Sequence, residues 1–178
     1  MLAKEKKIIK IAIKTINQNL KKALLLWIIY FDVLLIISTT TIIGVYSRTV
    51  VEENPAVKWI FNRNPSEAIV LSLIVNAIYA TLYIMVWLIS LVLSAMCFKS
   101  ASSREFKTME KISILYPAFT FSMLFLNLMN DISTLFMCKS ILGINYLQYQ
   151  SISILLSITY LSIFYIALIY LKTNSKLG

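Results

Sequence analysis

Two carboxylates inside apolar segments, Asp32 and Asp131, are the residues of this sequence best suited to chemistry. An ionised carboxylate in hydrocarbon must find water, a cation or a proton, so such residues indicate functional sites by default. Two carboxylates in contact could share a proton for acid–base catalysis, as in aspartyl proteases. Asp32 and Asp131, however, differ in depth by several residues, and neither lies in a Gly-x-Gly-Asp setting. The pair therefore favours proton or cation handling over proteolysis.

The complete absence of histidine narrows the possible chemistry further. It excludes His-ligated haem, the two-His-one-carboxylate iron site, HExxH zinc chemistry and any Ser-His or Cys-His nucleophile pair. No cluster of carboxylates approaches the spacing of a calcium-binding loop. We therefore expect no metal, no cofactor and no enzymatic activity, with a carboxylate-dependent intramembrane enzyme as a minor alternative.

Other polar side chains accompany the two aspartates. Asn127, Asn130 and Asp131 occupy positions i, i+3 and i+4 of one helical face, and Thr39 shares a face with Asp32. Heights counted at about 1.5 Å per residue bring polar groups from several helices to a comparable depth. Two interpretations stay open, an interhelical hydrogen-bond layer and the lining of a wet cavity that opens outward. The predicted intramembrane polar layer comprises Asp32, Thr39, Asn76, Asn127, Asn130 and Asp131.

The elements that must hold these residues are membrane-spanning helices. Of the 178 residues, 59% are hydrophobic and 14% charged, whereas soluble domains carry about 25% charged residues. A helix needs roughly 20 mostly apolar residues to cross about 30 Å of hydrocarbon. Four segments meet that length, and together they predict an all-α polytopic membrane protein with a four-transmembrane-helix bundle. The predicted spans are residues 23–46, 68–98, 112–138 and 151–171, within one transmembrane domain over residues 23–171.

The distribution of lysine and arginine predicts the orientation of this bundle. Thirteen of these residues fall on one side, in residues 1–22, in the 99–111 loop and in the short 172–178 tail, and four fall on the other. The positive-inside rule then predicts a multi-pass protein of the cell membrane with both termini in the cytoplasm. The net charge of +9 follows from this bias. Because no aromatic-interleaved basic groove accompanies it, we expect no nucleic acid as a partner.

The basic N-terminal segment, residues 1–22, carries an apolar stripe. Ile9, Ile13, Ile16 and Leu20 fall at i, i+4, i+7 and i+11, which is the pattern of an amphipathic helix. We expect a separate cytoplasmic helix that either orients the first span or lies on the anionic leaflet as a docking helix. The residues predicted to bind the membrane surface are Lys7, Lys10, Lys14 and Lys21.

The first outer loop contains a turn signal and acidic residues. An Asn-Pro pair within it favours a turn and the start of a short interfacial helix, with Trp59 at headgroup level. A second Asn-Pro pair places Pro65 near the first turn of the second span. The loop is either a connector or a cap over the polar layer, formed by Glu52, Glu53, Asn54 and Pro55.

Residues 28–75 resemble a family of small prokaryotic four-helix membrane proteins that has no assigned function. The resemblance rests on Asp32 in the first span, the threonine run at residues 39–41 and the Glu-Asn-Pro turn at residues 53–55. Ile36 departs from the family pattern, in which threonine follows the aspartate by four residues. The resemblance implies the four-helix architecture and no particular activity.

These observations predict a non-enzymatic integral membrane protein, an accessory or structural subunit of a membrane complex or of a homo-oligomer. Its expected partners are the lipid bilayer and either other membrane protein subunits or further copies of itself. The alternative is a small proton- or cation-coupled transporter or channel that uses Asp32 and Asp131.

Overall fold

The computed structural model describes residues 2–47, 58–59, 65–137 and 146–174, and the elements in these ranges are α-helices. Four of the helices are long and apolar enough to cross a membrane. The prediction of an all-α protein with four candidate spans is therefore confirmed. The helices are α1 (Leu2–Tyr46), α2 (Pro65–Cys97), α3 (Arg104–Ser113), α4 (Leu115–Met137) and α5 (Tyr146–Asn174).

Helix α1 is continuous from the basic segment into the first span. Its 45 residues correspond to about 67 Å of helix, more than twice the thickness of the hydrocarbon core. The predicted separate N-terminal helix is wrong, because no proline or glycine interrupts the chain before Gly44. Helix α2 begins at Pro65. Proline suits the first position of a helix, because its fixed φ is helical and no hydrogen bond is lost with its missing N–H.

A tight connection joins α2 to α3. The Ser100 N–H donates to the Ala95 carbonyl (3.0 Å) and the Lys99 N–H to the Met96 carbonyl (3.2 Å), which is a Schellman arrangement. Lys99 adopts φ 54° at the position where glycine is usual. Ser103 then caps α3 by accepting from the Phe106 N–H. The sequence predicted only a loop here, but α3 is a short amphipathic helix.

Pro117 explains why α3 and α4 are two helices. The predicted third span began at residue 112 and ran through this point without a break. Proline has no N–H to donate to the Ser113 carbonyl four residues earlier, and its ring clashes with that carbonyl. Helix α3 therefore ends at Ser113, and α4 begins at Leu115. Pro117 thus lies in the first turn of α4, where proline is tolerated.

The chain packs as two compact units. Unit 1 comprises Met1–Leu26, Tyr83–Phe119 and Leu156–Gly178, and unit 2 comprises Trp27–Leu82 and Thr120–Leu155. In unit 1, Ile11 packs against Ala95, Ala101 and Phe106. In unit 2, Ala68 is fully buried against residues of α1 and α2, among them Ile42, Val45, Leu71 and Val75.

Most apolar side chains of the long helices lie on the outside. Leu155, for example, is 63% exposed and Ile74 is 52% exposed. In the apolar windows of the four candidate spans, only 11 to 28% of the residues are buried. Water would not tolerate an apolar surface of this extent, whereas lipid is as apolar as leucine. The long helices therefore present a surface suited to a bilayer.

Candidate functional site

Asn76 joins α2 to α1 in unit 2. Its side chain is only 4% exposed, and its Nδ2 donates to the Ser38 hydroxyl (2.9 Å) and to the Leu34 carbonyl (3.2 Å). The Ser38 hydroxyl also lies 3.2 Å from Asn76 Oδ1. Both ends of the amide thus contact one helix, so this part of the predicted polar layer is an interhelical hydrogen-bonded contact.

Asp131 joins α4 to α1. The Thr41 hydroxyl lies 3.2 Å from Asp131 Oδ2 and 2.9 Å from the Ile37 carbonyl. One hydroxyl hydrogen serves both acceptors, so it is shared or alternates between them. Thr41 is buried, and the Asp131 side chain is half-buried. This carboxylate therefore lies at a helix–helix contact of unit 2.

The two predicted asparagines of α4 also lie on its half-buried side. Asn127 and Asn130 are both half-buried. The Asn130 carbonyl accepts from the Ser133 hydroxyl and from the Thr134 hydroxyl, each at 2.8 Å. The face that the i, i+3, i+4 spacing predicted is therefore the inward side of α4.

Asp32 and Thr39 occupy a different position, on the exposed side of α1. The Thr39 hydroxyl donates to the Leu35 carbonyl of its own helix at 2.8 Å. No residue in the described ranges forms a hydrogen bond or an ion pair with Asp32. The structure thus brings Asn76 and Asp131 against α1 and leaves Asp32 and Thr39 outside these contacts.

Sequence reasoning missed Ser38, the residue of α1 that contacts Asn76. The buried face of α1 in unit 2 contains Tyr30, Leu34, Ile37 and Thr41, which recur at i, i+4, i+7 and i+11 and have Ser38 beside them. This pattern was readable, because an aromatic residue and small polar residues share that face. The prediction instead used the opposite face of α1, because Asp32 lies there.

A second set of interhelical contacts lies in unit 1. The Tyr160 hydroxyl donates to the Ser90 hydroxyl (3.0 Å), and the Tyr160 ring lies 5.1 Å from the Tyr116 ring. Trp87 Nε1 donates to the Ser113 hydroxyl (3.0 Å). Trp87 and Tyr160 are 2% and 1% exposed. These aromatic side chains join α2, α3, α4 and α5, and the polar atoms of Tyr160 and Trp87 bond to serine hydroxyls of neighbouring helices.

The basic segment of α1 turns an unexpected face inward. Thr15 and Asn19 are buried, whereas the apolar stripe is exposed, with Ile9 at 57% and Ile13 at 53%. Asn19 Nδ2 donates to the Thr15 carbonyl (3.1 Å), but Asn19 Oδ1 has no partner among the described residues. The predicted surface-binding lysines, Lys7, Lys10, Lys14 and Lys21, are all exposed.

The remaining predicted features concern metals and the outer loop. Among the residues that the structure describes, no three His, Cys, Asp or Glu side chains cluster closely enough to hold a metal ion. The predicted cap, Glu52, Glu53, Asn54 and Pro55, lies outside the described residues, and Trp59 is 57% exposed.

Comparison with protein-family models, curated proteins and solved structures gives no match to this chain. The resemblance of residues 28–75 to a four-helix membrane family therefore stays a prediction. Inferences about function rest on the contacts and exposures of the chain's own residues.

Proposed function

We propose that this chain is a non-enzymatic subunit of a membrane protein complex, and that it binds its partner through the side of α1 that carries Asp32. This surface, termed the Asp32 face, follows one side of α1 at spacings of three and four residues. It consists of Ile28, Ile29, Asp32 and Ile36, all exposed residues of unit 2.

The exposure of Asp32 is the observation that carries the proposal. Asp32 lies nine residues beyond Ala23, the first residue of the predicted first span, which corresponds to about 14 Å along the helix and hence mid-membrane depth. An aspartate at the centre of a span costs roughly 2.5–3.5 kcal/mol in lipid. Because no described residue of the chain binds it, that cost is best removed by a second protein covering the Asp32 face.

The position of Asp131 favours a subunit over a transporter. A transport route through both aspartates would need both carboxylates on one continuous path. Asp131 is half-buried against Thr41, whereas Asp32 is on the exposed side of α1. Transport through Asp131 alone remains the second candidate, supported by its place at a helix–helix contact. Proton or cation flux in liposomes that disappears in Asp131→Asn would favour that candidate.

The subunit proposal is tested by the mass of the assembly extracted from native membranes in mild detergent. The 20.4 kDa chain should migrate in a defined larger complex. Ile36→Trp, which adds bulk beside Asp32, should dissociate that complex. Ile154→Trp, at a residue 59% exposed on α5, is the matched control and should leave it intact. A chain that migrates alone, or one equally affected by both variants, contradicts the proposal.

The proposed orientation places both termini in the cytoplasm of a cell-membrane protein, with the basic segment of α1 against anionic lipid. The charge bias between the two sides supports this. The test uses single cysteines at two exposed positions, Lys58→Cys and Ser102→Cys, with both native cysteines replaced by serine. An impermeant thiol reagent added outside intact cells should label position 58 and not position 102. The reverse labelling would invert the orientation.

A further inference from the structure

We propose that the partner that covers the Asp32 face is a membrane-spanning helix of a different protein, and that this helix carries a lysine or arginine at the depth of Asp32. The inference rests on the proposed function, because it identifies the chemistry of the surface that the complex buries. It adds that the interface is held by a carboxylate–cation pair rather than by apolar packing alone.

The surroundings of Asp32 indicate a cationic partner. Its neighbours on the Asp32 face are apolar, with Ile28 51% exposed and Ile36 48% exposed. Apolar side chains gain no hydrophobic free energy when they move from lipid tails to another helix, so they give little selectivity. A carboxylate in that setting is best satisfied by an opposite charge, because charged hydrogen bonds are the strongest available to it.

A second copy of this chain does not supply such a charge. None of the four predicted spans contains lysine or arginine. The nearest cation on α1 on the N-terminal side is Lys22, ten residues away, or about 15 Å along the helix. Lys22 also pairs with Glu110 at 2.6 Å. Two copies in the same orientation would place Asp32 against Asp32, which brings like charges together.

The lipid bilayer limits the secondary structure that the partner can have at this depth. An element that meets Asp32 inside the hydrocarbon must satisfy its own backbone hydrogen bonds, and a helix does so without further strands. Basic residues within such helices are rare and face other protein rather than lipid. An apolar helix with one lysine or arginine near its middle therefore fits the Asp32 face.

The test is photo-cross-linking from a photoactivatable phenylalanine analogue placed at Ile36 in the full-length chain in native membranes. The adduct is mapped to a peptide by mass spectrometry. We expect an apolar segment of another protein, with a lysine or arginine within one helical turn of the adduct. Loss of one partner of a buried charge pair weakens an interface by at least about tenfold. Asp32→Asn should lower the adduct yield accordingly, whereas Asp32→Glu should retain most of it.

The same analogue at Ile154 on α5 is the matched control, and its adducts should be insensitive to Asp32→Asn. Adducts from position 36 only to lipid, to another copy of this chain, or to a segment without lysine or arginine would overturn the inference. An unchanged yield in Asp32→Asn would also overturn it. Failure of the proposed function gives a different result, because the chain then migrates alone. If Ile36→Trp dissociates a complex but the cross-linked peptide has no lysine or arginine, the charge-pair inference is refuted while the subunit proposal stands.

Discussion

Replacement of Tyr160 by alanine is expected to weaken the attachment of α5 more than replacement by phenylalanine. Tyr160 is 1% exposed, and it makes two contacts with other helices. Its hydroxyl donates to Ser90 of α2, and its ring lies 5.1 Å from the ring of Tyr116 of α4. A third contact, with Phe164 at 5.7 Å, is within α5 and persists when the helices separate, because spanning helices stay folded in lipid.

The two interhelical contacts give the expected magnitudes. Hydrogen bonds between helices in membranes contribute about 0.6 kcal/mol on average, which is the expected loss in Tyr160→Phe. An aromatic pair contributes about 0.5–1.5 kcal/mol beyond buried area. The dispersion contacts of a fully buried ring add roughly 1 kcal/mol. Tyr160→Ala should therefore cost about 2–3 kcal/mol, with little hydrophobic contribution because the freed surface meets lipid and not water.

The assay is steric trapping in bicelles, which measures the free energy of helix separation without a denaturant. The two biotin labels are attached at Ser102→Cys and Thr173→Cys, both exposed positions of unit 1. Tyr165→Ala is the matched control, because that tyrosine of α5 is 63% exposed. It should change the free energy by less than about 0.5 kcal/mol. Equal losses in Tyr160→Phe and Tyr160→Ala, or a loss in Tyr165→Ala that matches Tyr160→Ala, would refute the reasoning.

The same measurement, with labels in the relevant unit, checks three further substitutions. Asn76→Ala removes the hydrogen bonds to α1 and should cost roughly 1–2 kcal/mol. The control, Ser72→Ala, changes a buried residue that forms no side-chain hydrogen bond to a described residue, and it should cost less than half as much. Equal costs would contradict the role given to the Asn76 amide. Lys99→Gly relieves the positive φ and should stabilise unit 1 by about 1 kcal/mol, whereas Lys99→Ala should give no such gain. Glu110→Gln breaks the exposed pair with Lys22 and should cost at most about 1 kcal/mol; a loss that persists undiminished in high salt would show that the pair is not the cause.

The inward face of α2 was largely readable from the sequence, because polar and small residues recur along it at helical spacing. Ser72, Asn76 and Trp87 lie on that face and are buried. Tyr79, three residues after Asn76, is 45% exposed, whereas Ala80, four residues after Asn76, has no exposed surface. Spacings of three and four residues are both compatible with one face, so periodicity alone does not decide between neighbours such as these.

The buried face of the N-terminal segment was harder to predict, because apolar periodicity identifies the buried face only when the surroundings are water. Ile9, Ile13 and other members of the stripe are exposed, whereas Thr15 and Asn19 are buried. Ile11, by contrast, packs against Ala95 of α2, Ala101 of the α2–α3 connection and Phe106 of α3. Such a contact joins residues that are far apart in the chain, so the local sequence pattern does not predict it.

Most buried serine and threonine hydroxyls of the described helices bond to carbonyls of their own helix. Thr15, Thr41, Ser90 and Ser94 each bond a carbonyl of their own helix, which satisfies the hydroxyl without any partner helix. Within the described residues, the buried polar side chains are all uncharged. Asp32, by contrast, is an exposed acidic residue within the predicted first span, and it has no hydrogen-bond or ion-pair partner among the described residues. The proposed function therefore assigns the partner to the exposed Asp32 face rather than to these internal contacts.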